Sequence, residues 1–406
     1  MNKTSTSPLL HLSALFTCLC VVLTPMFNDN QYYYVLWIAY IIDMALALVV
    51  IIGSDHKLRT IKENRIYVIF IAYSYISRFW ACYDKNESIR HMLLMFLFIV
   101  VSIEIIRRAK YYKMLVNSFV IAGVATSFYV LLKNGISSFV STLMSGSRFG
   151  GDVAQLNSLG ALTAIAATLS VALYIYSKRK IYILSFIINV LVLFGCESRM
   201  SLLMLIIGVI VALYSLIVKQ KNEGNKYRFI KFIFMLIILL SIGYYVLTQL
   251  PIFNGMYQRA FSTLDFFAGR RASVEGSRIR PELIRLGIDE FIQHPLFGIG
   301  FDNARHAARA HLGVDLYTHN NYVEILANGG LIGFAIFYSI YVSIIRKLWK
   351  KRDDNNVIVK IANILMVLLC IEGLFGVTYS SKYCYCIMIF LIAVANCDIR
   401  DLENAI

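Results

Sequence analysis

The chain has 406 residues, of which 59% are hydrophobic and 16% are charged, and its mean hydropathy is +0.67. Soluble globular domains average about 45–50% apolar and about 25% charged residues, so this composition excludes an ordinary soluble protein. A formal net charge of +15 would favour a nucleic-acid partner in a soluble chain. Here the positive residues separate apolar runs, where they act as topology signals, and we predict no nucleic-acid partner.

The apolar runs have the length of membrane-spanning helices, about 20 residues each. They predict an all-α polytopic membrane protein with about twelve transmembrane helices. The first run lacks a clear signal-peptide cleavage site and is predicted to be a retained helix. The predicted spans lie near residues 9–26, 33–53, 66–82, 92–106, 114–132, 154–177, 181–196, 201–218, 232–249, 328–345, 358–378 and 384–397.

Basic residues are concentrated in alternate loops, within residues 57–65, 107–113, 178–180, 219–231 and 346–352. Cytoplasmic loops of membrane proteins carry an excess of Lys and Arg, so we predict that these loops and both termini are cytoplasmic. The chain then divides into three parts. Residues 1–249 hold nine spans, residues 250–327 form one large extracytoplasmic loop, and residues 328–406 hold three spans and a cytoplasmic tail.

The large loop contains eight arginines and no lysine, whereas the predicted cytoplasmic loops are rich in lysine. Arginine presents a planar fork that binds phosphate through two parallel hydrogen bonds, which lysine cannot do. The loop therefore indicates an anionic ligand outside the membrane. Within it, residues 281–293 are predicted to form an amphipathic helix, with Leu283, Leu286, Ile288 and Ile292 on its apolar face.

Short blocks in and before the loop are similar to those of the O-antigen ligase and O-antigen polymerase superfamily. The resemblance covers about residues 148–345. Its blocks are Arg148-Phe149-Gly150-Gly151 with Asn157, Glu197-Ser198-Arg199-Met200-Ser201, Gly276-Ser277-Arg278, His294-Pro295-Leu296-Phe297-Gly298-Ile299-Gly300-Phe301, Thr318-His319-Asn320-Asn321-Tyr322-Val323-Glu324 and Ala327-Asn328-Gly329-Gly330-Leu331-Ile332-Gly333.

The resemblance implies a GT-C-like, membrane-embedded glycosyltransferase in the bacterial cytoplasmic (inner) membrane, with its active site facing the periplasm or exterior. It implies an undecaprenyl-pyrophosphate-linked oligosaccharide as donor, and a flippase and a chain-length regulator of the same pathway as partners. Such a reaction needs a base near an acceptor hydroxyl, and positive groups to neutralise the leaving pyrophosphate.

His319 is predicted to be the catalytic base, because histidine titrates near neutrality and lies here just before the tenth span. Its alternative role is an interfacial hydrogen-bonding residue. Glu324 is predicted either to orient His319 or to act as a second base. Gly298, Gly300 and Asn320 are the loop-motif residues that the resemblance marks.

Four arginines are predicted to bind pyrophosphate: Arg199, Arg278, Arg280 and Arg148. Arg199 lies between two spans with almost no loop, where a charge must be paired or functional. Arg278 has an alternative partner in Glu282, four residues on. Arg280 is a near neighbour that can take the role of Arg278. For Arg148, the alternative is an exposed loop arginine that contacts only solvent.

We predict no metal and no cofactor. His306 and His311 do not have the i, i+4 spacing of helical metal ligands, and the loop has no D-x-D pair.

Three activities remain open. The first is a polymerase that joins lipid-linked repeat units of an O-antigen, capsule or exopolysaccharide, and this is the favoured prediction. The second is a ligase that passes the glycan to lipid A-core. The third is a flippase or transporter, which is disfavoured because transporters usually show two similar halves.

Overall fold

The computed structural model describes residues 8–28, 31–54, 61–84, 90–145, 147–151, 153–215, 234, 241, 245, 279–352 and 356–403. The regular structure within these ranges is helical. The helices are α1 (Pro8–Phe27), α2 (Tyr33–Ile52), α3 (Lys62–Ile76), α4 (Arg90–Ala109), α5 (Tyr112–Asn134), α6 (Ile136–Ser145), α7 (Leu156–Ser177), α8 (Ile181–Cys196), α9 (Arg199–Leu213), α10 (Ile279–Gln293), α11 (Ala304–Leu312), α12 (Asn321–Lys350), α13 (Val357–Glu372), α14 (Lys382–Ala395) and α15 (Ile399–Glu403), with a 3₁₀ turn at Ser77–Trp80 after α3.

Among the described helices, five are long and apolar enough to cross a membrane alone: α1, α2, α5, α7 and α12. Others, such as α8, α9 and α14, are apolar but shorter. The chain is thus a multi-pass membrane protein, as its composition predicts. The predicted ninth span, 232–249, falls largely outside the described residues, so the number twelve stays a prediction.

Helix α7 occupies the centre of one half of the bundle, where it packs against α5, α8 and α9. Its sequence is rich in Gly, Ala, Ser and Thr, and its neighbours approach closely at glycines. A Cβ on Gly160 would lie 2.3 Å from Ser201 Oγ, and one on Gly208 would lie 2.5 Å from Thr168 Oγ1. Membrane helices associate through such small-residue contacts, since lipid offers no hydrophobic driving force between them.

Side-chain contacts gather the basic loops at one end of the bundle, which we call the basic end. They join Arg108 to Ser54 (2.6 Å), Lys110 to Asp401 (2.7 Å) and Lys347 to Glu63 (2.7 Å). The first two pairs join the end of α4 to the end of α2 and to α15, and the third joins the end of α12 to the start of α3. The basic loops at residues 107–113 and 346–352 thus lie at the same end as the start of α3. The loop blocks lie at the opposite helix ends, which we call the site end.

The predicted loop helix is present as α10, with Pro281 in its first turn. Its buried face differs from the prediction. Leu283, Gly287 and Glu290 are buried, whereas Ile288 and Ile292 are exposed. Packing through a glycine explains the difference, because a Cβ at Gly287 would meet α12 and the turn before it, a contact that a hydrophobic pattern does not reveal.

Helix α12 begins at Asn321 and not near residue 328. The side chain of Asn320 accepts hydrogen bonds from Tyr322 N (3.0 Å) and Val323 N (3.1 Å) and so caps the helix. The boundary expected between the loop and the tenth span therefore falls inside α12. The short helices α6 and α11 were not predicted.

Candidate active site

Helix α12 is broken at Gly330, whose φ of 60° and ψ of −165° are not helical. The break leaves backbone groups without helical partners, and the loop at residues 295–300 supplies new ones. The hydrogen bonds run from Leu331 N to Pro295 O (2.9 Å), Ile332 N to Leu296 O (3.2 Å), Ile299 N to Ala327 O (2.9 Å) and Gly300 N to Asn328 O (3.0 Å). Non-helical backbone at membrane depth is tolerated when protein satisfies it in this way.

The close packing of this loop against α12 requires glycine at several positions. Gly298 (φ 68°) and Gly330 adopt left-handed conformations that favour glycine. A Cβ on Gly298 would lie 2.5 Å from the carbonyl carbon of Asn328, and one on Gly330 would lie 2.4 Å from that of Leu296. Gly300 (φ 95°) is similarly close to Ala81. Gly298 therefore allows the loop backbone to pack against the backbone of α12, and Gly300 allows it to pack against Ala81.

The turn before α12 is held by Glu324, which is completely buried. Its Oε2 accepts hydrogen bonds from Thr318 N (2.9 Å) and Thr318 Oγ1 (2.8 Å), and its Oε1 accepts one from Asn328 Nδ2 (3.1 Å). With both carboxylate oxygens so engaged, Glu324 fixes the turn on which His319 lies. This geometry fits the predicted orienting role better than that of a second base.

Asn321 attaches the same turn to the segment between α13 and α14. Its Oδ1 accepts hydrogen bonds from Thr378 N (2.8 Å) and Tyr379 N (3.0 Å), and its backbone N–H donates to Gly373 O (2.8 Å). Thr318 and Asn321 stand in the sequence block around His319, but the pattern assigns neither of them a role. Their role becomes visible only in the structure, where both are buried polar residues at the start of α12 and both are hydrogen-bonded.

His319 projects from this fixed turn with a left-handed φ of 55°. No hydrogen bond among the described residues involves its imidazole, in contrast to its neighbours Thr318, Asn320 and Asn321. Burial, together with the nearby positive charge of Arg280, lowers the pKa of His319 to about 4. The imidazole is therefore neutral at physiological pH and is available to accept a proton.

Arg280 lies in the first turn of α10, and burial lowers the pKa of its guanidinium. Of the three predicted arginines within the described residues, Arg280 is the one that the structure brings to His319. Arg278 lies outside the described residues. A partly buried guanidinium beside a neutral imidazole creates a local positive field, which suits an anionic group bound next to a base.

Arg148 and Arg199 belong to a second group of residues, at the turn between α8 and α9. Arg148 Nε donates to Cys196 O (2.9 Å) and its Nη2 donates to Asn157 Oδ1 (3.0 Å). Ser198 caps α9 and also contacts Asn157, through Oγ (3.4 Å). Arg148 is thereby engaged in holding the turn, and Arg199 is the first residue of α9, at a positive helix terminus.

The group around His319 and the group around Arg148 and Arg199 lie at the same end of the bundle. Helix α13 packs against both α7 and α9, and its C-terminal end is tied to α12 through Asn321.

Within the described ranges, no three His, Cys, Asp or Glu side chains gather as metal ligands. His306 instead pairs with Asp84 (3.8 Å), and His311 hydrogen-bonds Tyr83 (2.9 Å).

A bundle of apolar helices with a polar loop seated on a broken helix defines a multi-pass membrane protein with its candidate site at one membrane face. Residues 184–338 match the profile of the family described as O-antigen ligase. This segment contains Arg199, Arg280, His319 and the glycine loop. The match confirms, for this segment, the resemblance to the O-antigen ligase and polymerase superfamily, a glycosyltransferase-like family. A comparison with curated proteins gave no match.

Proposed function

We propose that this protein is a polysaccharide polymerase that joins undecaprenyl-pyrophosphate-linked oligosaccharide repeat units. The observation that carries the proposal is His319, neutral and without a described hydrogen-bond partner, on a rigid turn beside the Arg280 guanidinium. The match to the O-antigen ligase family over this segment supports a lipid-linked glycan as substrate.

In the proposed reaction, His319 removes the proton from a hydroxyl of the acceptor sugar. That oxygen forms a bond to the anomeric carbon of the donor glycan, and the bond from this carbon to pyrophosphate breaks. The electron pair leaves with undecaprenyl pyrophosphate, and the proton stays on His319 until solvent removes it. A positioned base of this kind typically contributes about 10²–10⁴-fold.

Arg280 and Arg199 would stabilise the negative charge that develops on the leaving pyrophosphate, and Arg278 is proposed to join them. Positive groups aimed at developing charge act strongly where water is excluded. Arg148 would contribute less directly, by holding the turn that presents Arg199. The reaction as proposed requires no metal ion, because the guanidinium groups take the part that a cation plays in many phosphate sites.

The proposed site faces the periplasm or exterior of the bacterial cytoplasmic membrane. The support is the gathering of basic loops at the opposite end of the bundle, since basic loops stay cytoplasmic. A cysteine introduced at Gly313, in an otherwise cysteine-free chain, should react with an impermeant maleimide in intact cells. Labelling only after the cells are broken would contradict this orientation.

A ligase that transfers the glycan to lipid A-core is the second candidate, favoured by the description of the matching family. Purified protein incubated with lipid-linked repeat units alone separates the two. A polymerase yields a ladder of longer lipid-linked chains. A ligase yields no ladder, and transfers glycan only when lipid A-core is added. Absence of transfer in both reactions would overturn the proposed chemistry.

A further inference from the structure

A polar cleft lies at the site end of the bundle, between the C-terminal end of α1, the first turns of α7, the end of α13 and the start of α14. The cleft is partly open: it leaves about 40 Å³ for the centres of water-sized molecules, within about 440 Å³ of unfilled volume that includes the solvent at its mouth. Its polar lining includes Asn28, Ser158, Glu372, Ser381 and Tyr383. Apolar side chains from α1 and α7 complete the wall, so the cleft has both hydrogen-bonding groups and nonpolar surface.

Two polar atoms of this cleft lack partners within the described structure. They are Glu372 Oε2 and the Tyr383 hydroxyl, and both are shielded from solvent. Buried polar atoms are almost always hydrogen-bonded, because leaving one unpaired costs the solvation it has lost. A carboxylate acceptor and a phenol that both donates and accepts, lining one cleft, are suited to a ligand that carries hydroxyl groups.

The cleft adjoins both halves of the candidate site. Glu372 immediately precedes Gly373, whose carbonyl holds the start of α12 after His319. Ser158 immediately follows Asn157, which binds Arg148 and Ser198 on the other side. A ligand in the cleft would therefore lie beside the groups proposed to bind and activate substrate.

We infer that this cleft is a subsite for a neutral sugar of the glycan, held through its hydroxyls by Glu372 and Tyr383. This inference rests on the proposed function. Among the described residues, the lining contains no arginine or lysine, so it favours the hydroxyls of a sugar over the pyrophosphate, which the arginines attract. The leucines and proline of the wall can contact the C–H face of the sugar ring, while its hydroxyls reach the two unpaired atoms.

Binding can be measured with purified protein in nanodiscs and two probes: the lipid-free oligosaccharide repeat unit, and undecaprenyl pyrophosphate without sugar. Glu372→Ala should weaken oligosaccharide binding about tenfold, as expected for the loss of a buried hydrogen-bonding partner. Tyr383→Phe, which removes one oxygen and preserves the ring, should weaken it several-fold. Both variants should bind undecaprenyl pyrophosphate as the unaltered protein does. Asp289→Ala, an exposed carboxylate on α10, is the matched control and should change neither affinity.

Unchanged oligosaccharide binding in Tyr383→Phe and Glu372→Ala would overturn the subsite, while glycan transfer by the unaltered protein would leave the proposed function intact. An equal loss of both probes would also overturn it, because the cleft would then not be specific for sugar. If the unaltered protein transfers glycan but binds no free oligosaccharide, the subsite alone is wrong. If it neither transfers glycan nor binds either probe, both proposals fail. Should Glu372→Ala not fold, Tyr383→Phe decides the result alone.

Discussion

His319 lies beside Arg280, and burial of the imidazole together with the guanidinium charge lowers the pKa of His319 to about 4. This relationship places a neutral proton acceptor next to a fixed positive charge. It also changes the expected pH dependence, since an unperturbed histidine has a pKa of about 6.5.

The first prediction concerns the pH profile of glycan transfer. A base whose pKa is lowered is neutral above that pKa and is lost as pH falls through it. We therefore expect kcat/KM to be flat between about pH 5.5 and 8 and to fall only near pH 4. Bound pyrophosphate should offset the charge of Arg280, so the corresponding fall in kcat should lie at higher pH. A fall in kcat/KM centred near pH 6.5 would contradict the burial of His319.

The second prediction concerns Arg280. Its replacement by alanine should weaken donor binding by about 10- to 100-fold, the equivalent of one hydrogen-bonded charge contact. Arg280→Lys should recover little, because lysine keeps the charge and loses the planar fork. The pH at which kcat/KM falls should also rise in Arg280→Ala but stay below that of free histidine, since burial remains the larger cause.

Arg285→Ala is the control for this experiment, because Arg285 is an exposed arginine on the same helix. Full activity of Arg280→Lys would argue against two-pronged phosphate binding. The same pair of substitutions at Arg278 tests whether that residue takes part, as the resemblance implies.

The third prediction separates two roles for Glu324. As the acceptor that fixes the Thr318 turn, Glu324→Ala should destabilise the protein by about 1–3 kcal/mol, because Thr318 and Asn328 lose a buried partner. Glu324→Gln retains an acceptor oxygen and should keep substantial turnover with an unchanged pH profile. Thr318→Val should show a milder form of the same defect. A stable Glu324→Gln protein without activity would instead identify Glu324 as a catalytic group.

The fourth prediction concerns the break in α12. Gly330→Ala should greatly reduce the yield and thermal stability of purified protein, because its Cβ would overlap the backbone at Leu296. Gly313→Ala is the matched control. Gly313 has a similar positive φ of 70° but nothing within 4 Å of the added carbon, so only about 1 kcal/mol of backbone strain is expected. Equal stability of the two variants would show that the loop is not seated in the break.

The helices of the bundle could be predicted well from sequence where an apolar run ends at charged or glycine residues. The predicted span 181–196 coincides with α8, and α1 and α2 begin and end close to their predicted limits. The start of α12 could not be located in this way. Asn320, which caps it, and Gly330, which breaks it, act through contacts with segments distant in sequence, and hydropathy does not report such contacts.

The types of residue in the candidate site could be predicted from the sequence, but which of them lie next to each other could not. The blocks marked His319 and several arginines, but they did not indicate which arginine lies beside the imidazole. Arg280 is placed there by the packing of α10, which the sequence pattern does not report, and Arg278 lies outside the described residues. Glu372 was missed because it ends an apolar helix. A carboxyl at such a place in a membrane protein is itself a signal of function.

Single-turnover transfer by His319→Gln tests the central claim most directly. Purified variant and unaltered protein would be given the same lipid-linked repeat units, and transfer would be followed after donor binding has been shown to be equal. We expect turnover to fall by about 10²–10⁴-fold with donor affinity and thermal stability preserved, because glutamine can hydrogen-bond substrate but cannot take its proton. Turnover close to that of the unaltered protein would show that His319 is not the base.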